Sequence, residues 1–120
     1  MKNIIIVAAF LLSLNCMSQQ SVSLNGTWKI DPRPQGDYWK NTVDPSAWKD
    51  IKVPGECLLQ GIKIEQDKEF AYKKLIAIPA DFKDKTIRIR FDGVYSYARV
   101  WVNGKYVRDH YGSFTTWYCD

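Results

Sequence analysis

Apolar and polar residues alternate with a period of two through much of the second half of the chain. From Thr86 to Asp92, Ile87, Ile89 and Phe91 fall on one side and Arg88, Arg90 and Asp92 on the other, the pattern of a half-buried strand. Ala98, Val100 and Val102 make the next apolar row, with Arg99 and Trp101 opposite. Asn103-Gly104 follows, and Lys105-Tyr106-Val107 returns. Asn-Gly between two such runs predicts a type I′ hairpin, because that turn needs positive φ at both central residues. Phe70 to Ile78 reads as a strand with Tyr72, Ile76 and Ile78 on one face, ended by Pro79, and Thr115 to Cys119 begins another.

The first half gives shorter signals. Leu24 to Ile30 reads as a turn running into a strand, and Asp31 to Gly36 as loop, since Pro32 and Pro34 lack a ladder donor. Asp44-Pro45-Ser46-Ala47-Trp48 has the form of a capped helical turn, Asp44 at the N-cap and Pro45 first inside. Ile51-Lys52-Val53 alternates and breaks at Pro54-Gly55, and Gln60 to Glu69 is polar loop. No segment sustains a helical period. The expected fold is all-β, a sandwich or barrel of short strands. Thr115 to Asp120 reads as strand with no closing turn, so the sandwich is expected to be incomplete at its C-terminus.

Residues 1–18 stand apart. Lys2 precedes a short apolar run, Ile4 to Leu14, and then Asn15-Cys16-Met17-Ser18. Charge, apolar core and small residue in that order predict a signal peptide cut after Ser18, hence an exported, periplasmic or extracellular protein with one domain over 19–120. The run is too short to span a membrane. A buried apolar N-terminal element is the alternative. Lipid attachment at Cys16 is a minor option, because Asn15 occupies a position where a small residue is expected.

Composition narrows the function. With 120 residues, 46% apolar and 25% charged, the chain is ordinary globular material. Its net charge of +4 is spread along strands, with no basic stripe, which argues against a nucleic-acid partner. Arg88 and Arg90, like Lys73 and Lys74, read as solvated sheet faces. One histidine excludes a multi-histidine metal site, and no cofactor motif is present. Cys57 and Cys119 are a candidate disulfide in an oxidising compartment, with small buried thiols as the alternative.

Hydrolysis of a glycoside needs two carboxylates across a sugar-sized gap. None of the thirteen acidic residues is set apart for that role. Asp109 beside His110 is the one acid next to a titratable base, and an exposed loop pair explains it as well. Asp92 before Gly93 reads as a turn cap. Tyr95, Tyr97, Trp101, Tyr106, Tyr111, Trp117 and Tyr118 cluster in the last third. Exposed rings of this kind grip sugars, and core or cross-strand packing is the competing role.

Trp48, Val53-Pro54-Gly55, Tyr72-Lys73-Lys74, Ile89-Arg90-Phe91-Asp92-Gly93-Val94, Ala98-Arg99-Val100-Trp101-Val102-Asn103-Gly104 and His110-Tyr111-Gly112-Ser113-Phe114-Thr115 occur in that order. The series resembles the N-terminal sugar-binding domain of glycoside hydrolase family 2, which includes β-galactosidases and β-glucuronidases. The resemblance implies a jelly-roll β-sandwich similar to galactose-binding domains. It implies a β-glycoside as partner, and further C-terminal domains that carry the catalytic glutamates. No catalytic residue carries over to this chain, and no cofactor or metal is implied. In some members an aspartate after the Asn-Gly hairpin reaches the substrate. Gly112 stands at the matching position, which leaves His110 and Tyr111 beside it as candidate substrate-binding residues. A free-standing carbohydrate-binding module is the alternative function, and an adhesive sandwich with a protein partner a third.

Overall fold

The computed structural model describes residues 20–112 and 114–120. The expected signal segment and Cys16 lie outside the described residues. Seven strands are present among them: β1 Gly26–Asp31, β2 Lys49–Val53, β3 Ala71–Lys73, β4 Ile89–Phe91, β5 Tyr97–Val102, β6 Lys105–Tyr111 and β7 Trp117–Cys119. They form three small antiparallel sheets, ordered β2-β1-β3, β4-β7 and β5-β6. The molecule is an all-β, strand-rich domain of jelly-roll type.

The first sheet holds the core. Ile30 on β1 and Ile51 on β2 are 0% and 1% exposed, and Cys57 and Ile62 complete the buried cluster. Trp28, Val53, Ile64 and Phe70 pack around it. Antiparallel register places Trp28 opposite Ile51 and Ile30 opposite Tyr72. The outer edge of β2 is closed by a side chain. Gln60 accepts from the Lys52 amide at 2.7 Å and donates to the Lys52 carbonyl at 3.0 Å. A carboxamide has the donor–acceptor pair of a peptide group, so it occupies the edge as a neighbouring strand would.

Local sequence signals account for the connections. Asp44 Oδ1 accepts from the Ser46 amide at 2.9 Å, capping a 3₁₀ turn over Pro45–Ala47. Asn103 and Gly104 adopt φ of 52° and 75° and join β5 to β6 as a two-residue turn. β6 carries one extra residue. Val100 pairs with Arg108 but Trp101 with Tyr106, so Val107 is a β-bulge.

Two expected strands are shorter than their patterns. Phe70–Ile78 pairs only over Ala71–Lys73, and Leu75 is 98% exposed. Thr86–Asp92 pairs only over Ile89–Phe91, and Ile87 is exposed, contrary to its expected inward position. Alternation marks a face for burial, but a strand persists only where a neighbour supplies its ladder bonds.

Candidate functional site

The hairpin β5–β6 and the start of β7 bring most of the chemistry together. Alternation and register put Tyr97, Arg99 and Trp101 of β5 on the same face as Tyr111, Asp109 and Tyr106 of β6. In a regular strand Tyr106 and Asp109, three residues apart, would point to opposite faces. The bulge at Val107 brings them to one side.

Asp109 is the centre of that face. The hydroxyl of Tyr106 donates to its Oδ1 and that of Tyr97 to its Oδ2. Arg99 Nε donates to the Tyr97 hydroxyl at 3.3 Å, and its guanidinium lies 3.7 Å from Glu69. Tyr38 donates to Glu69 Oε2 at 2.9 Å and so ends the chain of contacts. The tyrosine hydroxyls, Tyr106 first and then Tyr97, hold the Asp109 carboxyl below the usual carboxylate range, and Tyr106 is raised in return. Burial, helped by the Glu69 acceptor, pushes Tyr38 up to about 12. Beside them Trp39 stacks on Trp101 at 5.3 Å, with Tyr38 and Tyr106 edge-on to Trp101.

His110 points the other way. Its ring stacks on Trp117 at 4.6 Å, and Phe91 stacks on the same indole at 4.3 Å. His110 Nε2 lies 3.3 Å from Thr115 Oγ1. Trp117 is 3% exposed, and its indole N–H has no partner among the described residues. Asp109 and His110 therefore do not form an acid–base pair; each is held by groups on its own side of β6. Tyr111 is 80% exposed and lies tilted against Tyr97. Tyr95 is as open, on the loop before β5. The Gly112 amide donates to Ser96 O at 2.8 Å and fastens the two loops together. Gly112 has φ of 145°, a region that side chains rarely adopt. Glycine here is thus matched to its backbone.

The structure brings Tyr111 to an open rim and leaves His110 as a packed ring next to it. Tyr38, Trp39 and Glu69 belong to the same surface; Glu69 ends the stretch that reads as polar loop, and the sequence pattern assigns no element to Tyr38 or Trp39. Cys57, in the core cluster, and Cys119, at the end of β7, are both buried free thiols. Cys57 Sγ lies 3.1 Å from the Tyr72 hydroxyl, and burial followed by this thiol raises Tyr72. Arg88 pairs with Asp120, and Arg90 with Asp92 at 2.9 Å. Lys73 Nζ donates to the Lys40 and Val43 carbonyls, and Lys74 Nζ to the Thr27 carbonyl. These cations are engaged locally instead of forming a basic surface. Among the described residues no helix is long and apolar enough to cross a membrane, and no group of side chains is arranged to hold a metal.

The described residues thus form a small all-β domain of jelly-roll type with one aromatic, hydrogen-bonding face. The comparison with known proteins is more specific. Residues 21–120 match the family described as glycosyl hydrolases family 2, sugar binding domain, and the chain belongs to that family. It is 43% identical over 98 residues to a β-galactosidase of Thermoanaerobacterium thermosulfurigenes, covering 78% of this chain and 14% of that protein. A β-glucuronidase of Bacteroides fragilis is 31% identical over 108 residues, covering 88% of this chain and 14% of that protein. Among solved structures, the β-glucuronidase from Ruminococcus gnavus in complex with D-glucaro 1,5-lactone superposes with a TM-score of 0.65 at 26% identity. That match covers 82% of this chain and 18% of the enzyme. The chain thus spans about a seventh of the length of the curated relatives it matches.

Proposed function

We propose that this chain is a carbohydrate-binding module of glycoside hydrolase family 2 that holds a saccharide and cleaves no glycosidic bond itself. Membership of the sugar-binding domain family supports the binding role. The hydrogen bonding of Asp109, the acid beside the single histidine, supports the non-catalytic part. A glycosidase acid needs a carboxyl whose proton affinity is raised, facing a second carboxylate across the sugar. Asp109 is shifted downward, by two tyrosine hydroxyls that donate to it. The open rim of Tyr111 and Tyr95, beside the packed His110, is the proposed place of sugar contact at the loop edge. Calorimetry with a panel of β-glycosides tests the binding, and release from chromogenic β-galactosides and β-glucuronides tests the chemistry. Saturable heat without turnover is expected. Turnover by residues 19–120 alone would overturn the reading.

A second reading is favoured by one observation: the relatives are whole glycosidases, of which the matched region is about a seventh. On it, residues 19–120 are the N-terminal domain of an exported β-glycoside hydrolase, β-galactosidase-like, whose later domains supply the catalysis and cover this one. The open apolar side chains Leu75, Ile78 and Phe114 suit such a cover. The intact mass of the native product separates the two readings. It also reports removal of residues 1–18, any lipid on Cys16, and a Cys57–Cys119 disulfide.

A further inference from the structure

We infer that residues 54–62 form a strap over the edge of β2 that opens as one unit, with Gln60 as its latch. The inference does not depend on whether the chain binds a saccharide. The strap leaves β2 after Val53 and returns to the core at Ile62. Among the described residues, the backbone hydrogen bonds of 57–62 stay within the turn itself. The amides of Gln60 and Ile62 donate to the Cys57 carbonyl, and that of Gly61 to the Leu58 carbonyl. A turn bonded to itself can move without breaking its own bonds. Its ties to the rest of the chain are few. Leu58 and Leu59 are 68% and 84% exposed and add little packing. Cys57 and Ile62 enter the core cluster, and Cys57 Sγ meets the Tyr72 hydroxyl. Between these two anchors, the polar tie among the described residues is Gln60, through its two bonds to Lys52.

A second residue is fitted to the latch. A Cβ at Gly55 would lie 2.7 Å from the Lys52 carbonyl oxygen and run into the Gln60 carboxamide. Gly55 is therefore the clearance through which Gln60 reaches β2. Closed, the strap fills the ladder position of Lys52 and covers the Cys57 thiol, which is 8% exposed. Open, it frees both, so the strap governs access to the β2 edge. Opening gives up two exposed hydrogen bonds and the burial of two side chains. Global unfolding also gives up Ile30 and Ile51, so the strap opens at lower free energy than the domain unfolds.

The test uses the full-length protein and iodoacetamide, with alkylation under native conditions read at each cysteine by peptide mass mapping. Cys57 should react through strap opening, while Cys119, on β7 in another sheet, should not depend on it. Gln60→Ala should raise the Cys57 rate by about tenfold or more, the range for two lost hydrogen bonds, and leave the Cys119 rate unchanged. Gly55→Ala should raise it as well, by displacing the carboxamide. The double variant should react no faster than the faster single one, because both remove the same latch. In the unaltered protein, hydrogen exchange at the Lys52 amide should report the same opening as Cys57 alkylation, and should be faster than exchange at Ile30 on the central strand. That comparison needs no variant and stands even where a variant fails to fold. Cys57 and Cys119 accelerating together would mean global unfolding. An unchanged Cys57 rate would mean that Gln60 is no latch, and single effects that multiply would mean two unrelated sites. Each of these outcomes, or a Lys52 amide as protected as that of Ile30, overturns the proposal.

Discussion

Truncation of Ile30 to alanine is the sharpest test of where this domain is held together. Ile30 has no exposed surface and lies between Lys49 of β2 and Tyr72 of β3 in the ladder, with Ile51, Cys57 and Ile62 in the same cluster. Removing its three outer carbons loses their transfer free energy and leaves a cavity that the paired backbones on both sides cannot close. Buried Ile→Ala changes cost about 2–5 kcal/mol, and a site flanked by strands on both edges belongs near the middle, about 3–4 kcal/mol. Since small domains have only about 5–15 kcal/mol in total, that is a large share. At about 4–8 °C per kcal/mol for a domain of this size, the melting temperature should fall by about 12 °C or more. Thermal unfolding followed by tryptophan emission is a suitable assay, because Trp28 packs against the cluster. Leu75→Ala serves as the control: the side chain is almost fully open, and the expected change is within about 0.5 kcal/mol. An Ile30→Ala loss no larger than that of Leu75→Ala would mean that the Ile30 cluster is not the core, and the reasoning would fail.

Three further outcomes are expected. Gly112→Ala should destabilise the domain by about 1–3 kcal/mol, because its φ of 145° is strained for a side chain and the new Cβ lies 3.3 Å from His110 Nε2; denaturant unfolding measures it, and a neutral result would remove the backbone account of this glycine. In a phenolate titration followed in the ultraviolet, Tyr38 should ionise at about 12; since folding favours its neutral form, that contribution is full below about pH 10 and is lost as pH rises toward the folded value, and Tyr38→Phe should remove one phenolate equivalent from the late part of the titration, to which Tyr72 and Tyr106 also contribute. Asp109 is favoured as the ion in the folded state, so its contribution is full above about pH 4 and is lost as pH falls through the lower folded value; Asp109→Asn should flatten that acid limb of stability, and an unchanged limb would refute the role of the tyrosine donors.

The sequence by itself determined the elements whose cause is local. Asn103-Gly104 specifies a turn through its backbone conformations, and the φ values of 52° and 75° follow. Asp44 and Pro45 specify a capped turn because the cap bond is made within two residues. Alternation identified the all-β class, and ordered motifs pointed to the family that residues 21–120 match. Tertiary structure decided what depends on distant partners. The strand patterns at 70–78 and 86–92 shortened to three residues each, because ladder bonds require a neighbour that local pattern does not contain. Adjacent in sequence, Asp109 and His110 look like a pair; strand pleating sends them to opposite faces, one to tyrosine hydroxyls and the other to an indole. Tyr38 and Glu69 join the surface across intervals of tens of residues, and no local periodicity encodes such a contact. Most of all, one extra residue at Val107 shifts the register of β6 and so chooses which side chains stand together around Asp109. A period of two reports the face of a residue only while the ladder is regular, and the bulge is visible only once both strands are paired.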